Sequence, residues 1–503
     1  MTLLSRVLGL ARDIVIARFF SASDAADAFF VAFKIPNFLR RLFAEGAFSL
    51  AFVPVLTEYR NRLGVDDTRE LIDRVAGTLG TLLLLLSAFG VLASPLLVSI
   101  FAAGFIDQPQ KFQLTADMLR ITFPYILLIA MTAMAGGILN TWKRFLAPAF
   151  TPVLLNLSMI GCALWLSPRL DVPITALAWG VLIAGVLQLL FQLPFLYREG
   201  LLPRPRWGWQ HAGVQKIVKL MIPTLFGSSV AQINLLFDTF IASFLVTGSV
   251  SWLYYSDRLL EFPLGVFGIA LATVVLPNLS EAHYREGETH FRQTLSWAVK
   301  LSLLISVPAA AGLLVLAQPI LATLFQYGVF TDHDSLMAAY SLMAYCLGLP
   351  AMILIKILAN GFYSRQDTRT PVRIGIQAMC LNMALNVVLV VYMLETEFVA
   401  PHVGLALATT GSAYFNAFML ARKLKKEQIL GPTKIYAGTL VKIAFATTLM
   451  ATLLLVMLPG IESWSNWSWN QRILQLAYLV LPAILFYAGM LWIMGVRRQH
   501  FSP

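Results

Sequence analysis

Apolar runs of about twenty residues or more recur along this chain from residue 75 to residue 495. Short segments rich in arginine and lysine separate them. A run of that length crosses the ~30 Å hydrocarbon layer of a bilayer as a helix, which satisfies its own backbone hydrogen bonds. Of the 503 residues, 58% are hydrophobic and 13% charged. A soluble core cannot hide that much apolar side chain, since even a domain of about 300 residues leaves roughly a quarter of its chain surface in water. The runs are 75–101, 118–140, 147–167, 172–196, 217–246, 250–280, 295–324, 335–360, 372–394, 401–421, 436–459 and 473–495. Two more charged segments precede them, at 3–22 and 26–59. The expectation is an all-α polytopic membrane protein with 14 transmembrane helices.

The net charge of +11 is not a nucleic-acid signal, because its placement follows the membrane. If the amino terminus is cytoplasmic, 24 of the 37 basic residues fall in loops on that side. The opposite loops hold only Lys111, Arg169 and Arg472. The positive-inside rule therefore predicts both termini in the cytoplasm. Cys162, Cys346 and Cys380 lie in apolar runs without a CxxC pair and read as core fillers.

Three sequence matches recur at nearly one offset. FVPVLTEY (52–59) resembles VLPNLSEA (275–282), placing Pro54 and Pro277 223 residues apart. Pro95 and Pro319, in similar apolar contexts, are 224 apart, and Pro148 and Pro371 are again 223 apart. Six helices per repeat give both copies one orientation in the membrane, a parallel-repeat transporter arrangement. The predicted organisation is an N-terminal six-helix lobe (1–196), a cytoplasmic linker (197–216), a C-terminal six-helix lobe (217–421), and two added helices with a cytoplasmic tail (422–503).

No phosphate-binding Walker loop, HExxH or dinucleotide fingerprint is present, and the six histidines are scattered. The expectation is a transporter, not an enzyme, with no cofactor and no metal site. The informative residues are the charges inside apolar segments. An ionisable side chain at membrane depth costs at least about 2.5–3.5 kcal/mol on insertion scales, so it faces water, a partner or a ligand. The stretch 26–59 holds Asp27, Lys34, Arg40, Arg41 and Glu45, with Pro36-Asn37 positioned to bend the helix. Arg41 and Glu45 are four apart and suited to a helical pair. The first segment adds Arg6, Arg12 and Arg18. In the second half, Arg258 and Glu261 share a helix face, and Ser251 lies nearly two turns before Arg258 on the same side. One reading is that these charges neutralise one another in interhelical pairs. The other is a net cationic interior that receives an anion, for which the guanidinium fork suits phosphate or diphosphate oxygens.

SRVLGLARD (5–13), ADAFFVAFKIPNFLRRLFAEGAFSLAFVPVL (26–56), SWLYYSDRLLEFPLGVFGIA (251–270) and GFYSRQDTRTPV (361–372) resemble the bacterial lipid II flippase family, MurJ or MviN, of the MOP exporter superfamily. The resemblance extends from the first segment to the last. It implies a multi-pass protein of the bacterial inner membrane that moves undecaprenyl-diphosphate-linked peptidoglycan precursor to the periplasmic leaflet by alternating access. It also implies a central cavity lined by helices 1, 2, 7 and 8, and a groove at helices 13 and 14 for the polyprenyl tail. Carried onto this chain, the implied substrate or cavity residues are Arg6, Arg12, Asp27, Asn37, Arg40, Ser251, Arg258 and Glu261. Pro36, Arg41 and Glu45 take gate or support roles. A monovalent-ion site proposed for the family makes Asp238, Asn382, Asn386 and Thr410 candidates, with membrane potential a further energy source. Lipid II and bilayer lipids are the implied partners, with peptidoglycan-synthesis proteins as candidates. The alternatives are an exporter of another lipid-linked polysaccharide or a drug, and a scaffold for envelope synthesis that transports nothing.

Overall fold

Gly64 and Gly287 occupy helix N-caps with φ of 95° and 86°, a backbone region that side-chain-bearing residues rarely adopt. Each opens a 28-residue helix, Val65–Leu92 or Glu288–Val315. Each of these is followed by an eight-residue helix, Ser94–Phe101 or Ala317–Leu324. Corresponding boundaries lie 223 residues apart, the offset of the first and third proline matches. The repeat is therefore present in backbone geometry as well as in sequence.

The computed structural model describes residues 2–41, 48–282, 287–430 and 434–496, and it forms two compact units, Met1–Ser251 and Trp252–Pro503. All long elements among the described residues are helices. The first unit contains α1 (Thr2–Phe20), α2 (Asp24–Arg40), α3 (Ser49–Arg62), α4 (Val65–Leu92), α5 (Ser94–Phe101), α6 (Pro109–Thr122), α7 (Tyr125–Thr141), α8 (Leu146–Gly161), α9 (Thr175–Arg198) and α10 (Ala212–Ala242). The helix α11 (Ser249–Pro263) starts in the first unit and runs into the second. There follow α12 (Ala270–Glu281), α13 (Glu288–Val315), α14 (Ala317–Leu324), α15 (Asp332–Tyr363), α16 (Arg369–Glu395), α17 (Val403–Lys426), α18 (Lys434–Met457), α19 (Ile461–Asn466) and α20 (Trp469–Ile493). A π-helical turn, Leu264–Ile269, joins α11 to α12.

The core of each unit is built from corresponding residues. Phe52, Leu56, Ile72, Val75, Met134 and Leu139 are buried together in the first. Their counterparts 223 positions on, Val275, Leu279, Leu295, Ala298, Ile357 and Phe362, are buried together in the second. A separate cluster in the second unit packs Ala446, Met450 and Leu454 of α18 with Leu479, Ala483 and Tyr487 of α20. Burying a Leu or Phe side chain contributes ~1.5–3 kcal/mol against water, and between helices in lipid the gain comes from packing contacts.

Local breaks in the helices are satisfied individually. Pro36 has no N–H to give to Ala32, and the Thr122 hydroxyl of α6 donates to that carbonyl at 3.1 Å instead. The segment between α9 and α10 is strapped to α4 by hydrogen bonds from the backbone N–H groups of Arg206 to the Asp73 carbonyl and of Gly208 to the Thr78 hydroxyl. A β-carbon at Gly77 would sit 2.2 Å from the Arg206 carbonyl oxygen, so glycine permits this approach.

Eleven helical stretches among the described residues are long and apolar enough to cross a membrane. The segment expected to cross at 3–22 forms α1, which is not among these eleven and carries Arg6, Arg12, Asp13 and Arg18 within 19 residues. The expected crossing at 26–59 begins with α2, of 17 residues, and continues in α3 beyond the undescribed residues 42–47. Exposed Leu85, Leu92, Val456 and Leu485 give the helices an apolar exterior suited to lipid. Cys162 and Cys346 are buried, whereas Cys380 is exposed on α16 and does not fill the core, because that apolar helix faces outward at this position.

Candidate functional site

In the first unit, the charges of α1 and α2 are held at two places. Arg12 is 3% exposed and lies against Asp13, whose Oδ1 accepts from Nε at 2.9 Å and from Nη2 at 2.6 Å. Its Nη1 donates to Asn156 Oδ1 of α8 at 3.2 Å. The Asn156 amide is turned that way because its Nδ2 donates to the Ser5 carbonyl of α1 at 3.1 Å and to the Pro152 carbonyl at 3.4 Å. Arg6 is half-buried on the same helix and makes no ion pair among the described residues.

The second place centres on Asp27, 1% exposed near the start of α2. Its Oδ2 accepts from Lys111 Nζ of α6 at 3.1 Å and from the Gly248 N–H at 2.8 Å. Its Oδ1 accepts from the Ser251 N–H at 3.0 Å and the Ser251 hydroxyl at 2.6 Å. Lys111 also reaches Asp24 Oδ1 at 2.9 Å and lies over the Phe105 ring at 4.4 Å. The Thr247 hydroxyl donates to the same Asp24 oxygen at 2.6 Å. Four donors, one of them a cation, make burial of the Asp27 carboxylate tolerable. They also pin α2 to α6 and to the first turn of α11.

Farther along α2, Lys34 Nζ donates to the Thr239 hydroxyl of α10 at 3.1 Å, and Arg40 Nε donates to Asn37 Oδ1 at 2.9 Å. Pro36 is buried between them, and Arg41 is partly buried at the helix end. Glu45 lies outside the described residues, and its expected pairing with Arg41 lies there with it.

In the second unit, Arg258 Nη1 and Glu261 Oε2 are 2.8 Å apart, with side chains 32% and 42% exposed. The helical pair read from their spacing is present. Of the candidate ion ligands, Asn382 and Asn386 are buried on α16, with Asn386 Nδ2 donating to Asn382 Oδ1 at 2.9 Å. Asn382 Nδ2 donates to the hydroxyls of Thr409 and Ser412, both at 3.3 Å. The Thr410 hydroxyl donates to the Ala344 carbonyl at 2.7 Å. Asp238 is half-buried on α10 of the first unit.

The arrangement is one of buried arginine, lysine and carboxylate groups on apolar helices. Comparison with known proteins decides which family it belongs to. The family described as lipid II flippase MurJ matches residues 16–477. This chain belongs to the lipid II flippase MurJ family. The probable lipid II flippase MurJ of Vibrio cholerae serotype O1 is 49% identical over 506 residues, covering 99% of this chain and 95% of that protein. The corresponding Haemophilus influenzae protein is 48% identical over 513 residues, covering 99% of both. A solved structure of lipid II flippase MurJ in an inward closed conformation superposes with a TM-score of 0.81 at 27% identity, covering 98% of this chain and 97% of that one. An inward-facing MATE family multidrug transporter of the MOP superfamily shares the fold, with a TM-score of 0.70 at 14% identity over 84% of this chain and 95% of that one.

For this MurJ-family chain, the residue-level reading overlooked two groups that the structure brings in. Lys111 was assigned to an outer loop, yet it is buried against Asp27. Its signal was rarity, as one of three basic residues expected on that side. Asn156 sits in an apolar run, and an amide there needs partners for the same reason a charge does.

Proposed function

We propose that this chain flips lipid II, the undecaprenyl-diphosphate-linked peptidoglycan precursor, from the cytoplasmic to the periplasmic leaflet of the inner membrane. Full-length similarity to proteins named lipid II flippase MurJ carries this reading. The cationic helices supply the chemistry. Arg6, Arg12 and Arg258 engage the diphosphate or an adjacent acidic group, Asn37 and Arg40 are further substrate or cavity residues, and the tail stays in lipid or a groove at the last two helices. Arg12 is held by the Asp13 carboxylate and the Asn156 amide oxygen in this conformation, so headgroup binding exchanges these acceptors for phosphate oxygens. Asp27 and Ser251 form a latch that opens and closes in the cycle, while Pro36 and Arg41 support bending of α2. The headgroup site is exposed alternately to the two membrane faces, and no covalent bond changes. Ligand binding drives the change only by its differential affinity for the two states.

The proposed topology has fourteen crossings and two six-helix repeats, 1–196 and 217–421, joined by the linker 197–216 and followed by 422–503. Both termini are cytoplasmic. An ion at Asp238, Asn382, Asn386 or Thr410, or the membrane potential acting on moving charge, would bias the cycle. The MATE resemblance concerns fold alone and does not favour a drug as cargo. The test is a leaflet-specific assay of lipid II in cells depleted of the protein. Lipid II should accumulate on the cytoplasmic side and return to the outer leaflet on re-expression. Equal outer-leaflet exposure with and without the protein rejects the reading.

A further inference from the structure

Gly104 is buried in the short 3₁₀ turn Ala103–Phe105, which lies between α5 and α6. A helical turn gives glycine no advantage over alanine, because glycine loses more chain entropy on folding. Its φ is not positive. Gly328, its counterpart at the 224-residue offset of Pro95 and Pro319, has a φ of 64° and so has a backbone reason to be glycine. At Gly104 the reason is a neighbouring backbone. A β-carbon there would lie 2.3 Å from the Ser243 carbonyl oxygen, 2.4 Å from the Ser243 carbonyl carbon and 2.5 Å from the Phe244 nitrogen. These atoms close the end of α10 and cannot rotate aside as the tip of a side chain would. The Gly104 N–H donates to the Ser243 hydroxyl at 3.1 Å, and that hydroxyl donates to the Phe240 carbonyl at 2.7 Å.

The contact is one end of a seam. Between Ser243 and Ser251 the chain turns from α10 into α11. The other tethers on this turn come from the aspartates of α2, with Thr247 on Asp24 and both Gly248 and Ser251 on Asp27. The two ends of the seam are joined. Phe105, the residue after Gly104, has its ring 4.4 Å from Lys111 Nζ, and Lys111 bridges Asp24 and Asp27. In the proposed topology the segments 102–108 and 243–249 follow the third and seventh crossings, so the seam lies on the outer side. Each hydrogen bond in it can be exchanged for water as the turn moves away, so each adds a modest bias. The approach at Gly104 is a different kind of condition, because with any side chain there the two backbones cannot reach this separation.

Resting on the flippase reading above, we infer that Gly104 is the residue that permits closure of the outer side. Its missing side chain lets the 102–105 segment seat on Ser243 and brings Phe105 and Lys111 to the Asp24 and Asp27 tethers. It is a positioning residue for alternating access and touches no substrate.

The test uses full-length protein in nanodiscs, without its three natural cysteines, spin-labelled at Asp107→Cys and Val246→Cys. Both positions are exposed, one on each side of the seam. Electron-spin distance measurements then read the open and closed seam as long and short populations. Gly104→Ala should raise the ratio of long to short by about tenfold or more, with a matching loss of lipid II flipping and a thermal midpoint near wild type. Ser243→Ala removes the acceptor without adding an atom and should shift the ratio the same way by about threefold. It is the deciding variant if Gly104→Ala does not accumulate. An unchanged distance distribution in the variants that accumulate, or normal flipping by Gly104→Ala, overturns the inference and leaves the flippase reading standing. A lower thermal midpoint with no change in distances marks a packing role only and overturns it as well. A wild type that does not move lipid II in the leaflet assay removes both readings.

Discussion

Lys111 donates to Asp27 across 84 residues of sequence at 3.1 Å, and both side chains are almost wholly buried. Neither is readily tolerated alone. Removing one member of a buried pair leaves the other charge uncompensated, a loss of about 3–5 kcal/mol, whereas replacing both is much milder. Lys111→Met and Asp27→Asn should each lower the thermal midpoint of the purified protein strongly, and the double variant should recover a large part. Additive losses would show that the two residues do not act as a pair.

Thr122 and Pro36 are coupled through the Ala32 carbonyl, which the proline leaves without its helical donor. Thr122→Val should cost about 1 kcal/mol in the natural background. With Pro36→Ala the backbone N–H returns to Ala32, and the same threonine change should then cost little. A double-mutant cycle on denaturant midpoints reads this directly. Pro36→Ala should also slow transport if bending at this point belongs to the cycle.

Arg12 and Arg258 separate structural from transport roles. Arg258 is about one-third exposed and paired with a comparably exposed Glu261, so the pair adds at most ~1 kcal/mol to stability. Arg258→Ala should abolish flipping while abundance and thermal midpoint stay near wild type. Arg12 is buried and holds Asp13, so Arg12→Ala should abolish flipping and also destabilise by about 3 kcal/mol. Asn156→Leu should give a partial form of the Arg12 defect, since it removes the Nη1 acceptor and leaves the Asp13 pair. Full complementation by both arginine variants would remove the anion-binding role.

The repeat and the apolar crossings were legible because each is a local pattern. Prolines at fixed offsets and apolar residues at helical spacing survive in a single sequence, and Gly64 and Gly287 carry the same repeat into the backbone. The Arg258–Glu261 pair was legible for the same reason, being three residues apart on one helix. The partner of Asp27 was not, because no spacing rule connects residue 27 with residue 111. The partners of Arg472 were hidden in the same way: its charge places it among the three basic residues expected on the outer side, and in the structure it is 4% exposed in the first turn of α20. Its charge was visible in the sequence, but the carbonyls that would receive it were not.

Asp367, in the turn between α15 and α16, supplies a pH signature outside the crossings. Burial, the largest single influence, raises its carboxyl pKa, but hydrogen bonds from the Thr370 hydroxyl and N–H and the Arg369 N–H, with the charge of Arg365, together outweigh it and lower the value below the ordinary 3.8. A carboxyl with a lowered folded-state value contributes stability that is complete above 3.8 and lost as pH falls through the lower folded value. Amide exchange at the start of α16 should therefore accelerate in acid below that point. Asp367→Asn should exchange fast at all pH values and lose the dependence.

Arg472 ties α20 to its surroundings through four backbone carbonyls. Nη1 donates to Ala322 at 2.7 Å and Gln326 at 3.2 Å, Nε to Trp467 at 3.1 Å, and Nη2 to Ser465 at 3.3 Å. The guanidinium also lies over the Tyr327 ring at 5.0 Å. These contacts join the first turn of α20 to the end of α14 and to α19. Each carbonyl is a partial negative charge, and four of them replace the water that a buried guanidinium would otherwise need. A lysine ammonium is compact, has three donors and cannot span the same fork. Arg472→Lys should therefore fail to rescue, falling close to Arg472→Met, with each losing about 3 kcal/mol in denaturant unfolding. Protease cleavage within 458–468 should rise in both variants. If Arg472→Lys matches wild type in both measurements, charge alone holds this end of α20 and the fork geometry is dispensable.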